Sequence, residues 1–239
     1  MTIKLASAAT SSMYAIPAAD WTAINQRVGS VLAIAPAKDV ISQTLSQYPA
    51  LLDSSQQWTQ STFQGLITHA RELNGYAGSA MSNFSQLHAA LEGVKQGGGA
   101  VPPGVQQQTA SVLQQLAQDT APLAAASGAL ATSMRAFLTD NQVVDGEIAR
   151  FQAVLGSFWA PVGATIAALE QAAGRVTGGW SAITDDLNNV LAAPIDVTLP
   201  FLESLEIQAA LASWQAVQAE TGGFASLAAG QEQYWTKPF

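Results

Sequence analysis

Leu66, Leu73, Ala80, Leu87 and Val94 recur at every seventh position of the segment 54–95, and Phe63, Ala70, Ala77, Phe84 and Leu91 form a second set at the complementary heptad spacing. Two interleaved sets of this kind draw an apolar seam along a helix. They predict one helix of roughly 40 residues, near 60 Å long at about 1.5 Å per residue. Ala70, Ala77 and Ala80 leave room for a neighbouring helix to come close, whereas Gly65, Gly75 and Gly78 weaken the helix locally. Gln96-Gly97-Gly98-Gly99-Ala100-Val101-Pro102-Pro103-Gly104 then breaks the pattern. Beyond the break Leu116, Leu123, Leu130 and Phe137 resume the repeat, with Leu113 and Met134 in the complementary positions. Two long helices joined by a short Gly/Pro turn predict an antiparallel hairpin. Pro122, inside the second helix, predicts a kink there.

Shorter amphipathic stretches flank this pair. Residues 18–32 and 38–48 read as helical and are punctuated by Pro36 and Pro49. Trp180, Ile183, Leu187 and Val190 or Leu191 mark one helical face. Ile207, Ala210, Trp214 and Val217 mark another, after a break at 194–200. The tail from Thr221, with its Gly222-Gly223 pair, reads as loosely organised. No segment alternates with the two-residue period of a half-buried strand between turns. The expected fold is all-α: an elongated bundle of five or six helices, with two long antiparallel heptad-patterned helices and a short helical head. Residues 18–140 and 179–232 make the bundle, and 141–178 make the head as an insertion in the same domain.

Composition narrows the chemistry. Apolar residues reach 49% and charged residues only 11%, where about 25% charged is usual. Net charge is −8 with 9 basic residues, which leaves few cations to neutralise phosphates, so no nucleic-acid partner is expected. Attraction to anionic lipid is weak for the same reason. With no cysteine, disulfides, thiol catalysis and cysteine-held metals are excluded. Residues 1–20 contain one Lys and no apolar run of signal-peptide length, so no secretory signal peptide is expected and export would use another route.

Candidate catalytic and metal motifs are weak. His69 and His88 lie 19 positions apart on one predicted helix, too far for the i, i+3 or i, i+4 spacing of a shared metal, and both read as surface or boundary histidines. Gly97, Gly98 and Gly99 lack the preceding strand and closing Gly-Lys-Ser/Thr of a phosphate loop. Asp140-Asn141-Gln142-Val143-Val144-Asp145-Gly146-Glu147 puts Val144 where a calcium loop needs an oxygen, and reads as a turn or helix start. Asp185-Asp186 reads as a pair near a helix N-terminus, where negative charge suits the dipole. No Gly-x-Ser-x-Gly elbow supports a hydrolase. Neither enzymatic activity nor a metal or cofactor is expected.

Trp58, Trp180 and Trp214 lie in or beside apolar stripes and read as core. Trp159 differs. It sits in the 19 residues 151–169, which carry no charge between Arg150 and Glu170. A straight helix of that length spans about 28 Å, close to the hydrocarbon thickness of a bilayer. Gly156, Pro161 and Gly163 argue for a bent segment instead. The stretch reads equally as a buried helix or helical hairpin and as a membrane contact; in the second reading Phe151, Val154, Leu155, Phe158, Trp159, Val162, Ile166 and Leu169 are the candidate membrane-contact residues.

The order of features resembles the cytolysin A-like α-helical pore-forming toxins, in the haemolysin BL, non-haemolytic enterotoxin and xenorhabdolysin branch. The resemblance runs over residues 50–230, from Gln57-Trp58 through Asn74-Gly75-Tyr76 and Phe84 to the helix ending Leu130…Phe137…Asp140. It continues with Gly179-Trp180-Ser181-Ala182-Ile183-Thr184-Asp185-Asp186-Leu187 and closes on Leu205…Ala209-Ala210…Trp214. In such proteins the helices form an elongated tail and an insertion forms a membrane-meeting head, shorter here than in many members. The resemblance implies a small component of a secreted multi-component toxin. It would bind a target-cell membrane through at most one leaflet and associate with other toxin components and with itself. The competing expectation is a non-toxic helical adaptor that binds a partner helix through its coiled-coil seam.

Overall fold

The computed structural model describes residues 3–149, 163–192 and 195–236. The described residues are 84% helical and form no strand. Helix α1 (Ala18–Ala33) is followed by the short α2 (Lys38–Ile41). Helix α3 (Tyr48–Gln57) passes through a π-helical turn at Trp58–Thr62 directly into α4 (Phe63–Gln96). Then come α5 (Pro103–Ala149), α6 (Gly163–Leu191), α7 (Leu199–Ser204), α8 (Ile207–Ala228) and α9 (Gln233–Thr236).

Every member of the two α4 heptad sets is buried. The turn after α4 explains its three glycines. Gly98 and Gly99 have φ of +86° and +90°, and the Gly99 N–H reaches back to the Val94 carbonyl at 2.9 Å. That is the six-to-one bond of a Schellman ending, which requires a left-handed residue. Helix α5 then returns antiparallel. Trp58 meets Phe137 with ring centroids 4.9 Å apart, His69 faces Leu123 and Ser127, and Gln86 faces Gln108.

The hairpin is not the main packing unit. Helix α4 packs most closely on α8, and α5 on α6. Helix α8 runs antiparallel to α4, since Asn74 donates to the Gln218 carbonyl at 2.8 Å while His88 lies beside Gln208. Its buried residues Ile207, Ala210, Trp214, Val217, Thr221, Phe224 and Ala228 keep strict three–four spacing. That spacing carries the helix through Gly222-Gly223, so the tail expected to be loose is a helix. Helix α9 then docks on α1, where a Cβ at Gly29 would lie 2.0 Å from the Tyr234 carbonyl oxygen.

Helix α5 also runs further than expected. Asn141, Val144 and Ile148 extend its buried stripe, and the Asn141 amide folds back onto the Phe137 carbonyl at 2.8 Å. With its amide N–H bonded to the preceding turn, Asn141 continues the helix instead of opening a turn at 140–147. Pro122 lies within α5 on its exposed face with Gln118, whose carbonyl loses its N–H partner where water can replace it. The region expected as a head, 141–178, is divided: 141–149 continue α5, 163–178 open α6, and 150–162 lie outside the described residues.

Residues 3–16 are packed into the molecule. Ile3, Leu5, Met13, Tyr14 and Ile16 are all buried, and the 3₁₀ turn Ala8–Ser11 packs against both α6 and α8. A Cβ at Gly179 would sit 3.1 Å from the Ala9 Cβ and the Thr10 nitrogen, so this glycine admits the segment.

Candidate functional site

The structure brings α1 to the end of the bundle that α5 and α6 share. Arg27 donates to Asp145 at 2.6 Å, with their side chains 3% and 22% exposed. Burial lowers the pKa of Arg27 and raises that of Asp145, and the attraction between them opposes both shifts. Two residues on, Glu147 accepts from the Ser46 hydroxyl at 2.6 Å and the Gln47 N–H at 3.2 Å. Thr165, near the start of α6, donates to Asp20 at 3.4 Å. Asp20 and Arg27 of α1 thus touch residues of both α5 and α6. The chain between Ala149 and Gly163 therefore joins the two helices at this end.

Of the candidate membrane-contact residues, Phe151, Val154, Leu155, Phe158, Trp159 and Val162 lie outside the described residues. Ile166 lies in the first turns of α6. Leu169 is 1% exposed and packs in the core, so in this conformation it does not face outward. Among the described residues no helix is long and apolar enough to cross a membrane. The large hydrophobic side chains exposed among them are Val40 and Val143.

His69 is not a surface or boundary residue. It is 2% exposed, because position 69 falls between the seam residues Leu66 and Leu73 on the side turned to α5. Its Nδ1 lies 2.6 Å from the Tyr14 hydroxyl. Its Nε2 lies 2.8 Å from the Ser127 hydroxyl and 3.2 Å from the Leu123 carbonyl. A carbonyl only accepts whereas the Ser127 hydroxyl can do either, so we assign the proton to Nε2 and leave Nδ1 to accept from Tyr14. Burial lowers the His69 pKa, against smaller raising effects from the Leu123 carbonyl and Glu72. Burial also pushes Tyr14 well above the usual phenol range, and Glu72 adds to this. Ser127, His69 and Tyr14 thus form a hydrogen-bonded chain whose three members are all enclosed. Sequence reasoning missed this cluster because Tyr14 is 55 positions from His69, in a segment without heptad pattern.

His88 borders a surface groove of about 480 Å³ between the end of α4 and the start of α8, lined also by Glu92, Lys95, Glu203, Glu206 and Gln208. Among the described residues no group of three or more His, Asp or Glu side chains could hold a metal ion. Asp185 and Asp186 lie in the last two turns of α6 rather than near a helix start. The reason for their place is different: the Lys4 N–H donates to Asp186 at 2.6 Å. The chain matches no protein-family model, no curated protein and no solved structure.

Proposed function

We propose that the chain is one component of a secreted multi-component α-helical pore-forming toxin. In this reading it contacts a target-cell membrane through the charge-free stretch 151–169, enters one leaflet at most, and assembles there with partner components and further copies of itself. The observation that carries the reading is the position of that stretch in the sequence, between α5 and α6. The two helices α5 and α6 pack closely on each other, and residues 151–162, between them in the chain, belong to the 19-residue charge-free run 151–169. Aromatic side chains such as Phe158 and Trp159 favour a membrane interface.

The adaptor reading draws less support, because the heptad seam it would use is buried within the chain's own bundle. An adaptor would have to open that bundle before a partner helix could enter. Dye leakage and co-sedimentation with liposomes test the proposal, using the purified protein alone and with the products of neighbouring genes. Binding in at least one combination, with leakage only in combination, is the expected result. No binding under any combination overturns it in favour of the adaptor.

A further inference from the structure

Residues 3–16 lie in the groove between α6 and α8, and three of the side chains that hold them there change charge with pH. The Lys4 N–H donates to the Asp186 carboxylate at 2.6 Å. The Ser11 hydroxyl donates to the Glu220 carboxylate. The Tyr14 hydroxyl donates to His69 Nδ1 at 2.6 Å. Of these three, the last is enclosed at both ends, with Tyr14 4% and His69 2% exposed. The other anchors have no such sensitivity: the Ile3 N–H donates to the Ser204 carbonyl at 3.0 Å, and Trp214 Nε1–H donates to the Leu5 carbonyl at 3.2 Å.

We propose that His69 is an acid-sensitive catch, which when neutral holds Tyr14 and the N-terminal segment in the α6/α8 groove, and when protonated releases that segment while the helix bundle stays folded. The hydrogen-bond directions carry the argument. Neutral His69 has its proton on Nε2, toward the acceptor-only Leu123 carbonyl, and offers a lone pair to Tyr14. Protonation places an N–H on Nδ1, facing the phenol oxygen. Tyr14 must then turn its own hydrogen elsewhere, and the Leu66 carbonyl at 3.4 Å is too distant for a strong bond.

The surroundings do not compensate the new charge. From the N-terminal segment His69 faces Tyr14, and from α5 it faces Ser127 and the Leu123 carbonyl. Helix α8 presents Phe224 against the Tyr14 ring, with centroids 4.9 Å apart, and Glu220 a turn away is engaged by Ser11. On α4 itself stand Glu72 and the exposed Arg71. Glu72 favours the cation, yet burial outweighs it. Because folding disfavours the charged ring, the catch holds fully above the ordinary histidine pKa of about 6.5 and weakens as pH falls below it. The α4/α8 and α5/α6 seams are built mainly from Leu, Ala, Phe and Val, whose contacts do not change with pH.

The chain has no cysteine, so single substitutions report on opening. Leu5→Cys marks the segment and Leu113→Cys, in the α5 seam, marks the bundle; both positions are buried. Each is labelled with a pyridyl disulfide, normalised at every pH to the denatured chain. Labelling of Leu5→Cys should accelerate by about tenfold per pH unit at most, the slope for one proton taken up, as pH falls below about 6.5. Labelling of Leu113→Cys should stay slow. Adding His69→Gln should remove the acceleration. An equal acceleration with His69→Gln, no acceleration at all, or a parallel rise at Leu113→Cys would each overturn the proposal. Tyr14→Phe serves independently if His69→Gln fails to fold. It should raise Leu5→Cys labelling at neutral pH and flatten the pH profile, and a profile like the parent's would reject the catch.

Discussion

Asn25 shows how much a single polar side chain organises. It is fully buried, and its oxygen accepts from the indole N–H of Trp58 at 3.1 Å and of Trp235 at 2.7 Å. Its amide donates to the Trp21 carbonyl at 2.9 Å and to Gln231 at 3.3 Å. One residue thereby joins α1, the π-turn after α3, and the start of α9. Asn25→Leu keeps the branched outline but strands two indole donors, and should cost about 2–4 kcal/mol in urea unfolding. A loss under half a kcal/mol would show that water takes over the acceptor role. The sequence marked Trp58 as core but not its partner, and it marked His69 as boundary. In both cases the partner comes from a segment more than 30 positions away, and no local pattern encodes such a meeting. The apolar positions of α4 were legible residue by residue, because heptad spacing depends only on the helix itself.

Turns and helix ends carry the next tier of specification. Gly98 stands in left-handed conformation at the end of α4, where any side chain is disfavoured. Gly98→Ala should destabilise by about 1 kcal/mol, and Gly93→Ala, an exposed helical site with open space around it, should not. Equal effects in thermal melts would contradict the Schellman assignment. Gly29 poses a different constraint, since an added Cβ meets the Tyr234 carbonyl oxygen of α9. Gly29→Ala should cost about 1–3 kcal/mol in the full chain by expelling α9. In a chain ending at Gly230 the same change should cost little, because the clashing atoms are gone. Helix α9 was invisible in the sequence: four residues give no period, and its place is fixed by Gly29 and Asn25. Helix α8 could have been read to its true end, because Thr221, Phe224 and Ala228 keep the spacing of Trp214 and Val217. The Gly222-Gly223 pair misled because glycines on the partly exposed face of a packed helix cost only about 1 kcal/mol each.

At the scale of the whole molecule, the question is what the shared end of α5 and α6 is for. The bundle hides its seams, and the large apolar side chains exposed among the described residues are Val40 and Val143. A membrane-directed function therefore needs its apolar contact from the charge-free stretch, in which Trp159 is central. Arg27 and Asp145 tie α1 to the last turns of α5, which precede it in the chain, so the scaffold there is braced whatever the stretch itself does. Trp159→Asp introduces a charge whose insertion into a bilayer costs a few kcal/mol. It should leave helical content and melting temperature unchanged and reduce liposome binding about tenfold or more, given about 1.4 kcal/mol per decade. Arg27→Ala is the contrasting variant. It leaves Asp145 buried without that cation, and should lower stability by about 3–5 kcal/mol as a broken buried ion pair. At temperatures where the bundle remains folded, its liposome binding should be retained. If both variants lost binding in proportion to stability, the bundle as a whole would be the determinant, and the assignment of the contact to 151–169 would fall.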